Sequence, residues 1–219
     1  MKYLLMVLCL FFDILYIICK SKNKNVAGLF VKTAAAVCFL TIAYLGYINH
    51  KTTYTYMILC GLTMYALGDI CLGLRNIFLK NIMFGIGAIS FLIGHIVFII
   101  ALFPLNNIYK IECIIIGIII GTILFAILYK VCRINRNFMI IGILYCTMIS
   151  IMASLSVGIY VTSNTISNLI FMLGAGLFVS SDIILIMYNF SRKEKWMHPV
   201  YSLLYFIAQI LISFSLHLI

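Results

Sequence analysis

Eight long apolar stretches alternate with short polar gaps along the chain of 219 residues. They run Tyr3–Cys19, Val26–Ile48, Tyr54–Leu74, Ile82–Phe103, Ile111–Val131, Phe138–Val161, Ser167–Phe190 and Pro199–Ile219. Each is about 17–24 residues long, which spans ~30 Å of hydrocarbon at 1.5 Å per helical residue. In lipid every backbone polar group must be satisfied internally, so stretches of this length are helices. The pattern predicts an all-α fold, a polytopic membrane protein whose residues 1–219 form a single bundle of eight transmembrane helices. Pro199 suits the first turn of the last helix, where a missing N–H costs nothing, and Pro104 marks the end of the fourth. The first stretch carries Asp13 and lacks a small-residue cleavage site, so it is read as a helix and not as a signal peptide.

Composition sharpens this. Hydrophobic residues make up 65% of the chain and charged residues 9%, against about 45–50% and ~25% in an ordinary soluble domain. Too little polar surface is available for a water-soluble globule, which excludes a soluble enzyme, a disordered chain and a secreted disulfide scaffold. The formal charge of +10 sits in short gaps with no basic face, so it reads as a topology signal and not as a nucleic-acid surface. The eight cysteines are scattered without CxxC spacing and read as free thiols in apolar surroundings.

Lys and Arg set the expected orientation. The gaps after helices 1, 3, 5 and 7 hold eleven of them, including Lys20, Arg75, Lys80, Arg133, Arg136, Arg192 and Lys193, while Lys2, Lys51 and Lys110 lie on the other side. The odd-numbered connections are expected in the cytoplasm and both termini outside, N-out/C-out, in a bacterial cytoplasmic membrane. Helices 3 and 7 then run the same way, and both carry an Asp, in LGDICL and SSDIIL.

Four charges lie within the apolar stretches away from their ends: Asp13, Lys32, Asp69 and Asp182. A charge at mid-helix costs about 2.5–3.5 kcal/mol on insertion scales and usually faces a bundle interior or watery cavity. On the expected topology all four lie in the cytoplasmic half, where they are compatible with one polar cavity. Gly61, Tyr65, Asp69 and Gly73 recur every four residues and line one face of helix 3, for close packing or for a ligand. Ser180 and Ser181 precede Asp182, and Gly174 lies two turns before it. Phe91, Gly94, His95 and Phe98 share a face of helix 4. Tyr201, Tyr205, Gln209, Ser213 and His217 form a polar stripe on helix 8, either a cavity wall or a hydrogen-bonded seam. His50 and His198 are assigned to loops.

Metal-ligand spacings, a nucleophile elbow, a Walker loop and GxGxxG are absent. The chemistry left is a carboxyl pair, one member delivering a proton and the other acting as base. Such a pair suits hydrolysis of a bond that needs protonation and an activated water.

The stretches LTMYALGDICLGL and FGIGAISFLIGHIVFIIALF resemble the hallmark region of the YhhN/lysoplasmalogenase family. FMLGAGLFVSSDIIL is similar to its second Asp motif, VKTAAAVCFL to its helix-2 Lys motif, LYCTMISIMASLS to its helix-6 Tyr/Met motif and YSLLYFIAQILI to its last helix. Thr33 stands where the family usually has Pro. The resemblance implies a hydrolase that cleaves the vinyl ether bond of lysoplasmalogens to a fatty aldehyde and a glycerophospho-alcohol, with no cofactor. It implies Asp69 and Asp182 as the acid/base pair, and Lys32, Tyr65, His95, Tyr145, Tyr205 and Gln209 around the substrate, with Asp13 as a further candidate. The partners implied are a lysophospholipid substrate and membrane lipids. Arg75 and Lys80 are positioned to assist at its head group. Two other readings stay open on the residues alone. One is an intramembrane aspartyl protease, although Ala66–Leu67–Gly68 precedes Asp69 in place of GxG. The other is a non-enzymatic lipid or ion transporter in which the buried charges form a relay.

Overall fold

A computed structural model describes residues 1–78, 81–132, 136–191 and 193–219. Lys80, Arg133, Arg192 and the side chain of Arg136, all counted above as basic connections, lie outside the described residues. Among the described residues the elements are helices only: α1 (Lys2–Ser21), α2 (Asn25–Asn49), α3 (Thr53–Phe78), α4 (Asn81–Leu102), α5 (Lys110–Val131), α6 (Arg136–Ser163), α7 (Ile166–Phe190) and α8 (Met197–Ser215). All eight are long and apolar enough to cross a membrane, and they make the chain a multi-pass membrane protein by length and composition.

Two boundaries differ usefully from the hydropathy pattern. Helix α3 continues past Leu74 to Phe78, so Arg75 stands on a helix and not in a loop. Helix α8 begins at Met197, two residues early, and ends at Ser215. Its last turn tightens where the Phe214 and Ser215 carbonyls accept from the amides of His217 and Leu218. The His217 ring then meets the Ile42 carbonyl at 2.9 Å, which ties the chain end to α2.

Short connections fold every helix but α5 back against its predecessor. Asn23 and Asn164 adopt positive φ, 56° and 43°, a conformation that Asn tolerates because its side chain can bond locally. Thr165 caps α7 by accepting from the Asn168 amide at 3.3 Å. Packing follows the order α1–α2–α3–α4–α6–α7–α8 and closes α8 onto α1, which makes a ring of seven helices. Helix α5 packs outside this ring, on α6 and α7.

The bundle turns bulky apolar groups both ways. Phe39, Phe98, Phe178 and Phe206 are fully buried in the core, while Ile115, Ile119, Ile123 and Ile127 of α5 face outward. Lipid supplies no hydrophobic drive between helices, so close backbone approach matters. A Cβ on Gly117 or Gly121 of α5 would lie 2.5 Å from the Cα of Ile151 or Thr147 of α6. Gly121→Leu is therefore expected to cost about 1–3 kcal/mol through overpacking and to lower the melting temperature in detergent. Gly176→Ala, where nothing lies within 4 Å, serves as the control. An unchanged melting temperature for Gly121→Leu would contradict the tight α5–α6 seam.

Candidate active site

Three carboxylates, Asp13, Asp69 and Asp182, sit a little over two turns inside the ends of their helices, at the end of the bundle that carries the α1–α2, α3–α4 and α7–α8 connections. Asp69 is nine residues from the end of α3, about 14 Å along the axis. Its side chain is 2% exposed. Lys32 of α2 reaches across to it, with Nζ 2.8 Å from Oδ1. The Tyr205 hydroxyl of α8 donates to Oδ2 at 2.8 Å. Both Asp69 oxygens are thus engaged, one by a cation. The Lys32 ammonium also lies 5.5 Å from the Tyr16 ring centre and 5.9 Å from that of Tyr205. A buried ion pair survives desolvation only with such additional partners.

Asp182 of α7 is equally buried, at 4% exposed, but meets different groups. The Tyr145 hydroxyl of α6 donates to its Oδ2 at 2.5 Å. His95 Nε2 of α4 lies 3.9 Å from the same oxygen and has no hydrogen-bond partner. His95 Nδ1 shares a 2.7 Å hydrogen bond with the Tyr65 hydroxyl. Among the described residues no Lys or Arg pairs with Asp182. A line of polar groups, Tyr65–His95–Asp182–Tyr145, therefore crosses from α3 through α4 and α7 to α6.

The face of α4 read from its spacing closes on Tyr65. Phe91 stacks on that ring at 5.8 Å, and Phe98 meets it edge-on at 5.2 Å. A Cβ at position 94 would run into the Tyr65 ring, so glycine is required there. The glycines of α3 likewise serve packing: Gly61 faces the Phe98 ring and Gly73 faces Leu29. Gly174 lies against Ile212 and Ala208 of α8. None of them opens room for a ligand.

Room exists beside them. A polar cavity of about 270 Å³ has Asp69, Asp182, Lys32, Tyr205, Tyr16 and Ser202 in its wall. Lys20, Arg75 and Lys193 stand where it approaches the connections. A second crevice, of about 80 Å³ and almost wholly apolar, is lined by Phe84, Phe125, Leu128, Tyr145, Ile186 and Phe190. Asp182, Phe91, Leu72, Leu185 and Asn189 line both spaces. Asp182 is the titratable group at that seam.

The remaining candidates are placed as follows. Tyr65 and His95 stand behind the wall, in contact with Asp182 or its neighbours and not with the cavity. Asp13 is fully buried behind Ser202, whose hydroxyl donates to Oδ1 at 2.5 Å, while Oδ2 has no partner. Gln209 is fully buried with neither amide atom hydrogen-bonded and borders neither space. Of its stripe, Tyr205 and Tyr201 reach the cavity. His198 is corrected: it is the second residue of α8 and not part of a loop. It packs at 5.3 Å on Tyr16 and 5.2 Å on Tyr201. Tyr16, Ser202, Lys20 and Lys193 join the site without any local motif. Only an amphipathic reading of α1 and the first turns of α8 against a known partner helix would have found the first two.

The model of the YhhN family matches residues 27–216. That stretch takes in Lys32, Asp69, His95, Tyr145, Asp182 and Tyr205, and leaves the whole of α1 outside. No curated protein and no solved structure matches the chain.

Proposed function

The chain belongs to the YhhN family, and from that premise we propose that it is a lysoplasmalogenase-type hydrolase, acting on the vinyl ether bond of a lysophospholipid. The observation that carries the proposal is the position of Asp182 between a polar, cation-lined cavity and an apolar crevice. A single-chain lipid has the same polarity change at the same place. Its head group matches the cavity, its chain matches the crevice, and its ether bond falls at the seam.

The chemistry assigns different roles to the two carboxyls. Asp182 meets a hydroxyl and an imidazole and no cation, and its Oδ1 receives no hydrogen bond from the described residues. It acts as the acid that delivers a proton to the β-carbon of the vinyl ether. The carbon adjacent to oxygen becomes an oxocarbenium centre. Asp69, kept as a carboxylate by Lys32, faces that positive charge across the shared cavity and stabilises it. Water adds to the cation and gives its proton to the Asp182 carboxylate. The hemiacetal collapses to aldehyde and the free glycerol hydroxyl. Tyr145 and His95 hold the Asp182 side chain in one orientation. In this reading the odd-numbered connections face the cytoplasm and the head group enters from that side.

Purified protein given 1-alkenyl lysophospholipid is expected to release one fatty aldehyde per glycerophospho-alcohol. Well-folded protein that releases no aldehyde from any 1-alkenyl lysolipid would overturn the assignment.

A further inference from the structure

We propose that the cavity selects lysolipids whose head group carries net negative charge, a phosphate monoester above all, over zwitterionic choline or ethanolamine heads. The inference rests on the lysolipid reading of the site and adds the charge class of its substrate.

Charge counting around the cavity is one-sided. Its wall holds four cations, Lys20, Lys32, Arg75 and Lys193, and two carboxyls, Asp69 and Asp182. Lys32 is matched by Asp69 at 2.8 Å. Asp182, as the proton donor, offers no charge to the head group. Lys20, Arg75 and Lys193 are left with no acid in the wall. Glu194, next to Lys193 in the chain, is not part of that wall. A zwitterionic head brings an ammonium that would find no carboxylate partner here.

Aromatic faces are the usual alternative for an ammonium, and the wall has several. The protein's own cations already cover three of them, Tyr16, Tyr188 and Tyr205, while Tyr201 packs against the Tyr188 and His198 rings and Phe91 against those of Tyr65 and Tyr205. Lys32 lies 5.5 Å from the Tyr16 ring centre and 5.9 Å from that of Tyr205, and Lys193 lies 5.7 Å from that of Tyr188.

Arg75 is also held for use. Its Nη1 donates to Asn189 Oδ1 at 2.8 Å, and Asn189 is itself oriented by donating Nδ2 to the Leu185 carbonyl at 2.8 Å. The planar fork thus keeps a fixed direction with further N–H groups for phosphate oxygens. Asn189 is seven residues beyond Asp182 on α7, or about 10 Å along the axis. A glycerol backbone with the reacting ether at one end and hydrogen-bonded phosphate at the other fills that span.

The test compares 1-alkenyl-glycero-3-phosphate with 1-alkenyl-glycero-3-phosphocholine of the same chain length, in neutral detergent. The expected kcat/KM ratio is at least about tenfold in favour of the monoester. Arg75→Gln and Lys193→Gln each reduce that ratio through KM for the monoester, while Lys193→Arg retains it. Lys193 is exposed, so its variants fold even if those at Arg75 do not. Equal rates, or preference for choline, would overturn the proposal.

Binding is read separately, by displacement of a fluorescent single-chain phosphate lipid. The uncleavable 1-alkyl-glycero-3-phosphate is expected to compete at least about tenfold better than 1-alkyl-glycero-3-phosphocholine, and at least about 100-fold better than glycerol 3-phosphate or inorganic phosphate, since only the lipid also fills the crevice. Equal competition by the free anions would mean a soluble-anion site and would also overturn the proposal. Selective binding of the anionic lipid with no aldehyde from any head group would remove the hydrolase reading and leave the charge selection standing.

Discussion

Asp182→Asn is expected to lower aldehyde release by roughly three orders of magnitude, the middle of the range for loss of a general acid. The amide keeps the shape of the side chain and still accepts from the Tyr145 hydroxyl, which lies 2.5 Å from the carboxyl. No cation loses its partner, so the melting temperature in detergent and the elution volume should match the parent. Carbon protonation is the hard step in opening a vinyl ether, and an amide has no proton of comparable acidity to give. A folded Asp182→Asn protein with parental turnover would remove Asp182 from the acid role. It would move the search to Tyr145 or to water.

Asp69→Asn should behave differently, although both carboxyls look alike in the sequence. It leaves the Lys32 ammonium buried with no counter-ion. Removing one partner of a buried pair costs about 3–5 kcal/mol. The single variant is therefore expected to lose stability as well as activity, seen as a large fall in melting temperature. Lys32→Met combined with Asp69→Asn removes both charges, and similar apolar volume often replaces such a pair without loss. The double variant is expected to recover most of the melting temperature and none of the activity. Recovery of activity would show that the pair holds the fold alone. A stable Asp69→Asn single variant would contradict the ion pair itself.

Much of this fold was legible because lipid imposes one dominant rule. Long apolar stretches become helices, and the eight of the hydropathy pattern are the eight of the structure. Their ends were less legible. Arg75 is tolerated inside the last turn of α3 because its guanidinium finds Asn189 and the Phe84 ring, and neither is near it in sequence. Within the site, Asp69, Asp182 and Lys32 stood out because an intramembrane charge is costly. The Lys32–Asp69 pairing follows from α2 and α3 being neighbours. That Asp13 and Ser202 belong together is a contact across 189 residues, set by the closure of α8 on α1, and no periodicity encodes it. Glycine was ambiguous from sequence. The same residue marks open space or a neighbour pressed against the backbone, and Gly61, Gly94 and Gly174 all proved to be the second kind.

The joining of a polar and an apolar space at one carboxyl has a thermodynamic consequence under the proposed reaction. Each turnover makes two products that prefer different phases. The fatty aldehyde is drawn along the crevice toward hydrocarbon, and the glycerophospho-alcohol dissolves in the aqueous phase. Neither remains beside the other long enough to recondense. Product inhibition by the alcohol alone should be weak, and the bilayer itself becomes the sink that pulls hydrolysis forward.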